Sequence, residues 1–184
     1  MCLSSNDDNS AAVESSAAIE NSATIENSAT IESSAAIEYG APIEYEQINR
    51  YLPHRPPFLL VDRLERCNGL DGVHGVKLLT GEEFFFAGHL PGKPTMPKAL
   101  LLEVIAQAGA VGVLSNPEFR GKYILFASMD ECRFGRAAVP GDKLDIFTEK
   151  VNFKRGLGKI HAVCKVGEEE LASAVFTFAL SDNP

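Results

Sequence analysis

Residues 88–114 read GHLPGKPTMPKALLLEVIAQAGAVGVL, from Gly88 to Leu114. This stretch decides the fold, because it carries a Gly/Pro-rich loop into a helix that is apolar on almost every side. Pro97 suits the first helical turn, where its missing N–H would have had no partner, and Asn116-Pro117 supplies the stop. Between them, Ala99 to Leu114 has the pattern of a helix wrapped by other structure rather than one lying on a surface. Membrane insertion is disfavoured, since the run falls short of about 18 uncharged residues and carries Glu103 and Gln107 one turn apart. Gly109 and Gly112 each cost about 1 kcal/mol against Ala inside a helix, so they are expected to mark close approach of another backbone.

Glu103 is the residue that needs a reason. A carboxylate on such a helix needs a hydrogen-bonded partner, a proton of its own, or both. The bland account ties it to Gln107 or a backbone amide in a purely structural network. His89 alone would be an ordinary loop histidine. The combination is the signal: an imidazole held among Gly88, Pro91, Gly92, Pro94 and Pro97, followed by an acid within the helix.

Outward from this centre the chain reads as strands. Glu44 to Leu52 suits a short helix closed by Pro53; Phe58 to Arg66 and Gly72 to Leu79 read as strands joined through Asn68-Gly69 and Asp71-Gly72. Glu83 to Phe86 reads as a short aromatic strand leading into the His89 loop. Beyond the helix, Tyr123 to Phe134, Lys143 to Phe153, Lys159 to Val166 and Leu171 to Leu180 are β-rich, with turns at Pro140-Gly141-Asp142, Gly156-Leu157-Gly158 and Gly167-Glu168. One long buried helix followed by antiparallel strands implies an α+β domain with the helix packed on the sheet.

Three separated motifs together resemble one family. Gly88-His89-Leu90-Pro91-Gly92-x-Pro94-x-Met96-Pro97 with Glu103-x-x-Ala106-Gln107 is similar to the signature of the 3-hydroxyacyl-[acyl-carrier-protein] dehydratases of the FabZ type. Leu52-Pro53-His54-Arg55-Pro56-Pro57-Phe58-Leu59-Leu60-Val61-Asp62-Arg63 resembles the family's opening motif, and Phe134-Gly135-Arg136-Ala137-Ala138-Val139-Pro140-Gly141-Asp142 its later one. The resemblance spans Ile43 to Leu180 in the right order. It implies a hot-dog fold, in which a curled antiparallel sheet wraps the long central helix. It also implies His89 as the base and Glu103 as the acid of a dehydration, with the two residues of one site supplied by opposite subunits of a homodimer, alone or in a trimer of dimers. Gly88, Pro97, Gln107 and Arg136 are then expected to contact substrate, and the backbone N–H of Lys98 to face the thioester oxygen. No cofactor or metal is expected, the substrate being carried on the phosphopantetheine of acyl carrier protein.

The expected roles agree with elementary chemistry. Removing a C2 proton and expelling a C3 hydroxyl needs a base and an acid on either side of one substrate. Histidine is the side chain that changes charge nearest neutral pH, and a helix start offers free N–H groups and a favourable dipole to a developing oxyanion. The chain departs from the family at three places: Lys98 for the usual Gly, Leu90 for the common Phe, and Gly135 for a common Arg. Arg133 and Arg136, with Lys98 and Lys122, are candidates to meet the carrier protein, against the plain alternative of solvated surface charge. His54, His74 and His161 read as structural, and Asp62 as the partner of Arg63 or a turn amide.

The 184 residues carry a formal charge of -8, and eight of the 25 acidic residues (Asp7, Asp8, Glu14, Glu20, Glu26, Glu32, Glu38, Glu44) lie in residues 1–45, which hold no Lys or Arg. The remainder balances 17 acidic against 17 basic residues, so no basic surplus points to nucleic acid. Ser10 to Tyr45 is a six-residue repeat, SAAVES through GAPIEY, a period that a 3.6-residue helix cannot gather onto one face. Residues 1–42 are therefore expected to be an acidic extension with little order, and 43–184 the folded domain. The four cysteines lack C-x-x-C spacing, and the N-terminus lacks a basic segment leading into an apolar one. A cytoplasmic, membrane-free setting is the expectation. Two other readings of the same residues are a hot-dog acyl thioesterase, which needs the acid and has no use for His89, and a non-catalytic acyl-binding partner subunit altered at Lys98.

Overall fold

The computed structural model describes residues 40–183. The acidic repeat expected over residues 1–42 lies, up to residue 39, outside the described residues. At Gly40 the N–H donates to Cys67 O at 3.0 Å, and Ile43 exchanges both backbone bonds with Leu64 at 2.9 Å and is buried.

A one-turn helix α1 (Tyr45–Ile48) opens the described chain, its start closed by Glu44 N–H donating to Gln47 Oε1 at 2.9 Å. Seven strands follow: β1 (Arg63–Cys67), β2 (Val73–Leu78), β3 (Tyr123–Phe134), β4 (Lys143–Thr148), β5 (Asn152–Lys154), β6 (Leu157–Val166) and β7 (Glu169–Ser181). The long helix α2 (Lys98–Leu114) lies between β2 and β3 in sequence. All pairings are antiparallel, in the order β1-β2-β4-β6-β7-β3, with β5 pairing β6. The sheet curls around α2, which is the hot-dog arrangement that the resemblance implied.

Small side chains let helix and sheet meet. A Cβ added at Gly112 would stand 2.4 Å from Val73 Cγ1 and 3.3 Å from Gly69 O, so this position admits no larger residue without displacing β2. Gly109 differs from the expectation: a Cβ there would meet Thr148 Cγ2 at an ordinary 3.6 Å. From Val104 to Leu114 every residue of α2 is buried. Its first turn is not, and Pro97 caps the helix rather than occupying its first position.

Four segments depart from the sequence expectation, the first and third because distant groups claim the backbone and the other two through local turn chemistry. Phe58 to Asp62 does not join β1, since the Gln107 side chain takes Leu60 N–H and Phe58 O, and Asp62 N–H goes to Val76 O. Phe84–Ala87 is a 3-10 turn and not a strand. The Glu83 carboxylate accepts the N–H groups of Thr80 and Gly81 at 3.0 and 2.9 Å and bends the chain there. The segment expected from Lys143 to Phe153 breaks into β4 and β5, as Glu149 N–H turns to His161 O and Val151 N–H to Leu70 O. The turn before β6 is Arg155-Gly156, both at positive φ (53° and 80°), the two-residue type I′ connection of a tight hairpin.

Asp62 also finds a partner other than the expected one: Lys77 Nζ at 2.9 Å and Leu78 N–H at 2.7 Å. His74 donates its Nε2–H to Asp145 Oδ1 at 2.8 Å, and His161 Nδ1 is 2.9 Å from Glu149 Oε1. Four carboxyls are held below the ordinary range by their surroundings, the partly exposed Glu65 chiefly by its hydrogen bond from Arg63. Burial works against the charge of Asp142, yet the hydrogen bonds from Arg136 and Val139 N–H outweigh it. Burial is likewise outweighed at Asp145 by His74 and Lys143, and at Glu83 by the Thr80 and Gly81 amides and Lys77. A carboxyl whose folded pKa is depressed stabilises the fold above its unfolded value and ceases to do so as pH falls through the folded one. Thermal melts should therefore be flat between about pH 5 and 8 and decline as pH drops below roughly 4. A melting temperature that rises on acidification would contradict these assignments.

Candidate active site

The His89 loop is built by its turn chemistry. Leu90-Pro91-Gly92-Lys93 closes on itself, with Leu90 N–H to Lys93 O at 3.3 Å and Lys93 N–H to Leu90 O at 3.0 Å. Gly92 sits at φ 73°, as the third position of a type II turn after proline requires. Thr95, buried at the base, holds His89 three ways: its N–H donates to His89 O at 2.9 Å, its carbonyl accepts the ring's Nδ1–H at 2.9 Å, and its Oγ1 lies 3.3 Å from the same nitrogen. A carbonyl can only accept, so Nδ1 carries the proton and Nε2 is left as the free basic nitrogen. Met96 N–H, bonded to Ala138 O at 2.8 Å, fastens the loop to the segment before β4.

Glu103 lies in the second turn of α2, with 27% of its side chain exposed, so it forms a cleft wall rather than a fully buried group. Gln107 is 1% exposed and uses every polar atom: Oε1 accepts Leu60 N–H at 2.9 Å, and Nε2 donates to Phe58 O at 2.9 Å and to Glu103 Oε1 at 2.8 Å. The backbone N–H at Oε1 fixes which way the amide points, so Glu103 Oε1 always faces a donor. His54 Nε2 stands 3.6 Å from the same oxygen. His54, expected to be structural, thus stands in the cleft beside Glu103, and its place in the opening motif is the one sequence signal for it.

These residues line a cleft of about 140 Å³ together with Ala110, Tyr123, Ile124 and Phe126. Ala106, Ala110, Ile124 and Phe126 also line a narrow apolar slot under the helix, floored by Ile160, Phe176 and Phe178. His89 is not among the described residues that line the Glu103 cleft of its own protomer. Gly88 is exposed, with nothing within 4 Å of where a Cβ would stand, so no steric demand explains it. Pro97 caps α2, and the N–H groups of Lys98, Ala99 and Leu100 meet no acceptor among the described residues.

The basic candidates separate clearly. Arg136 is committed to Asp142, at 2.7 and 3.1 Å, and to Glu169 at 2.8 Å, which raises its already high pKa; Lys122 is committed to Asp182 at 2.6 Å. Arg133 has no partner among the described residues, and Lys98 Nζ rests 5.0 Å over the ring of Phe134. Glu65, His74 and Asp145 bring potential ligand atoms within 4.8 Å of one another, but Lys143 Nζ already supplies a cation there, 3.1 Å from Asp145 and 3.5 Å from Glu65. Cys67, Cys132 and Cys164 are free thiols, and burial pushes the Cys164 thiol up to about 12. No helix among the described residues is long and apolar enough to cross a membrane.

A curled antiparallel sheet around one long helix is the hot-dog arrangement, and the FabA-like domain family matches residues 52–175. The chain belongs to this family, among its FabZ-type members. It is 45% identical over 135 residues to the 3-hydroxyacyl-[acyl-carrier-protein] dehydratase FabZ of Moorella thermoacetica, covering 73% of this chain and 94% of that one. It is 48% identical over 131 residues to the protein of the same name from Symbiobacterium thermophilum, covering 71% and 92%. Among solved structures, the dehydratase heterocomplex ApeI:P from Xenorhabdus doucetiae shares the fold, with a TM-score of 0.63 at 18% identity over 74% of this chain and 91% of that one.

Proposed function

We propose that this protein dehydrates 3-hydroxyacyl thioesters of acyl carrier protein to trans-2-enoyl thioesters in fatty-acid biosynthesis. The observation that carries the reading is the identity of 45–48% to FabZ dehydratases across more than nine tenths of their length. His89 Nε2 takes the C2 proton while charge gathers on the thioester oxygen, toward which the free N–H groups at the start of α2 are suited to point. Glu103 gives its proton to the departing C3 hydroxyl, which leaves as water as the C2–C3 double bond forms. His89 is then charged and Glu103 ionised, and one proton passing between them through solvent restores both. The acyl chain enters the slot beneath α2.

The site is completed by two subunits, His89 of one facing Glu103 of the other. What supports this is the absence of His89 from the lining of its own protomer's Glu103 cleft, together with β3. That edge strand of 12 residues is exposed through most of its length, with Leu125, Phe126 and Met129 each about half exposed. The partners are acyl carrier protein and a second copy of the chain, with Arg133 and Lys98 as the uncommitted cations for the carrier. A cytoplasmic location, where the carrier-bound substrate would be made, goes with this reading.

Incubation with a series of 3-hydroxyacyl carrier proteins, followed by mass spectrometry for loss of water, tests the proposal. Release of free thiol in place of water loss would mark a thioesterase, and a folded dimer with no turnover at any chain length would overturn both. Lys98 supplies a finer test. Because its backbone N–H survives the change, Lys98→Gly should alter KM and substrate preference more than kcat, and cost up to about 1 kcal/mol of stability. Loss of turnover with KM unchanged would instead give the ammonium a part in the chemistry.

A further inference from the structure

We infer that His54, which the reaction proposed above does not use, is a positioning residue for Glu103: its Nε2–H receives the carboxylate that Glu103 becomes on releasing its proton. This rests on the dehydratase reading and adds to it a donor that the reading lacks.

The need for such a donor follows from the count of hydrogen bonds. When Glu103 loses its proton it gains acceptor capacity and a charge, at the wall of a mostly apolar cleft. Gln107 cannot answer with a second bond. One of its N–H groups is held by Phe58 O and the other is already on Glu103 Oε1. Arg55 is the nearest cation in sequence to His54, but its guanidinium is folded back onto backbone carbonyls, at 2.8 Å to Leu52 O, 2.7 Å to His54 O and 3.3 Å to Asn49 O. His54 Nε2, 3.6 Å from Oε1, is the remaining described nitrogen at that carboxyl.

The ring's protonation follows from its other nitrogen. Nδ1 of His54 is buried and has no partner, and a buried N–H without an acceptor is more costly than an unused lone pair. The proton therefore sits on Nε2, facing Glu103. So placed, His54 is a donor to the carboxyl and not a second base. Its loop is tied to the helix that carries the acid, since the Phe58 ring lies 5.9 Å from the imidazole and Gln107 bonds Phe58 O and Leu60 N–H. The 3.6 Å separation is that of a contact that tightens as negative charge develops, the condition under which a donor speeds the reaction rather than merely binding substrate.

Turnover of the wild-type protein on one carrier-bound 3-hydroxyacyl substrate is measured first, and its absence would sink the dehydratase reading itself. Given turnover, His54→Leu should lower kcat by roughly 10-fold to 100-fold with KM within about twofold and the melting temperature nearly unchanged. His54→Gln, which returns an N–H at comparable reach, should recover most of the loss. In a Glu103→Gln background His54→Leu should have little further effect, because no carboxylate forms there. If His54→Leu does not fold, His54→Met takes its place in each comparison. Equal losses in the Gln and Leu variants, a rise in KM alone, or an undiminished effect in the Glu103→Gln background would each overturn the inference while leaving the dehydratase reading intact.

Discussion

An equimolar mixture of His89→Ala and Glu103→Gln proteins, unfolded and refolded together, should recover about a quarter of wild-type turnover, although each variant alone should lose roughly 10² or more in kcat. In a random mixture half the dimers are mixed. In each of those, the intact His89 of one subunit meets the intact Glu103 of the other at one site, while the second site carries both lesions. Half of the dimers with half of their sites alive gives the quarter. Kinetics of the mixture, with native mass spectrometry to confirm mixed dimers, provides the check. Mixed dimers without recovered activity would place both groups in one subunit and require the His89 loop to reach its own cleft.

The largest effect on stability is expected where β6 pairs with β7, at the register partners Gly158 and Phe178. Gly158 lies under the ring of Phe178, and a Cβ built there would come within 2.3 Å of the ring. Phe178 is buried against the core and meets the Phe153 ring edge-on at 5.8 Å. Phe178→Ala should cost about 3–5 kcal/mol through lost burial and the cavity left behind, and Gly158→Ala about 1–3 kcal/mol through overpacking. The double variant should cost less than the sum, since the added methyl group occupies part of the emptied space. Denaturant melts of the four proteins close the cycle, and strict additivity would show that the two residues do not share this contact.

Local signals carried much of the fold. Asn116-Pro117 marked where α2 ends, within two residues of the observed Leu114, and the apolar run between it and Pro97 announced a wrapped helix. What could not be read lay in pairings across long sequence separations. Nothing within Phe58 to Asp62 reveals that a glutamine 47 residues beyond Leu60 will take its amide, or that Val151 will turn inward to Leu70. The candidate site divides in the same way. His89 and Glu103 stand out by residue type and motif, while the approach of His54 to Glu103, the closure of Arg136 onto Asp142 and Glu169, and the seating of Lys98 on Phe134 exist only in three dimensions.

β3 carries one more consequence. An open edge is a template that any extended chain could copy, and this one is not equally inviting along its length. Its first four residues, Tyr123 to Phe126, run in plain register against β7, whereas register shifts fall between Phe126 and Ser128 and between Asp130 and Arg133. The second shift takes in Glu131 at φ 52° and a cluster of charge, Asp130, Glu131 and Arg133. Bulge and charge together make the far half a poor surface for casual recruitment, so the strand discriminates by geometry. Any strand that docks along its full length must carry a matching kink, while a regular strand meets an even ladder for only a few residues before the path bends away.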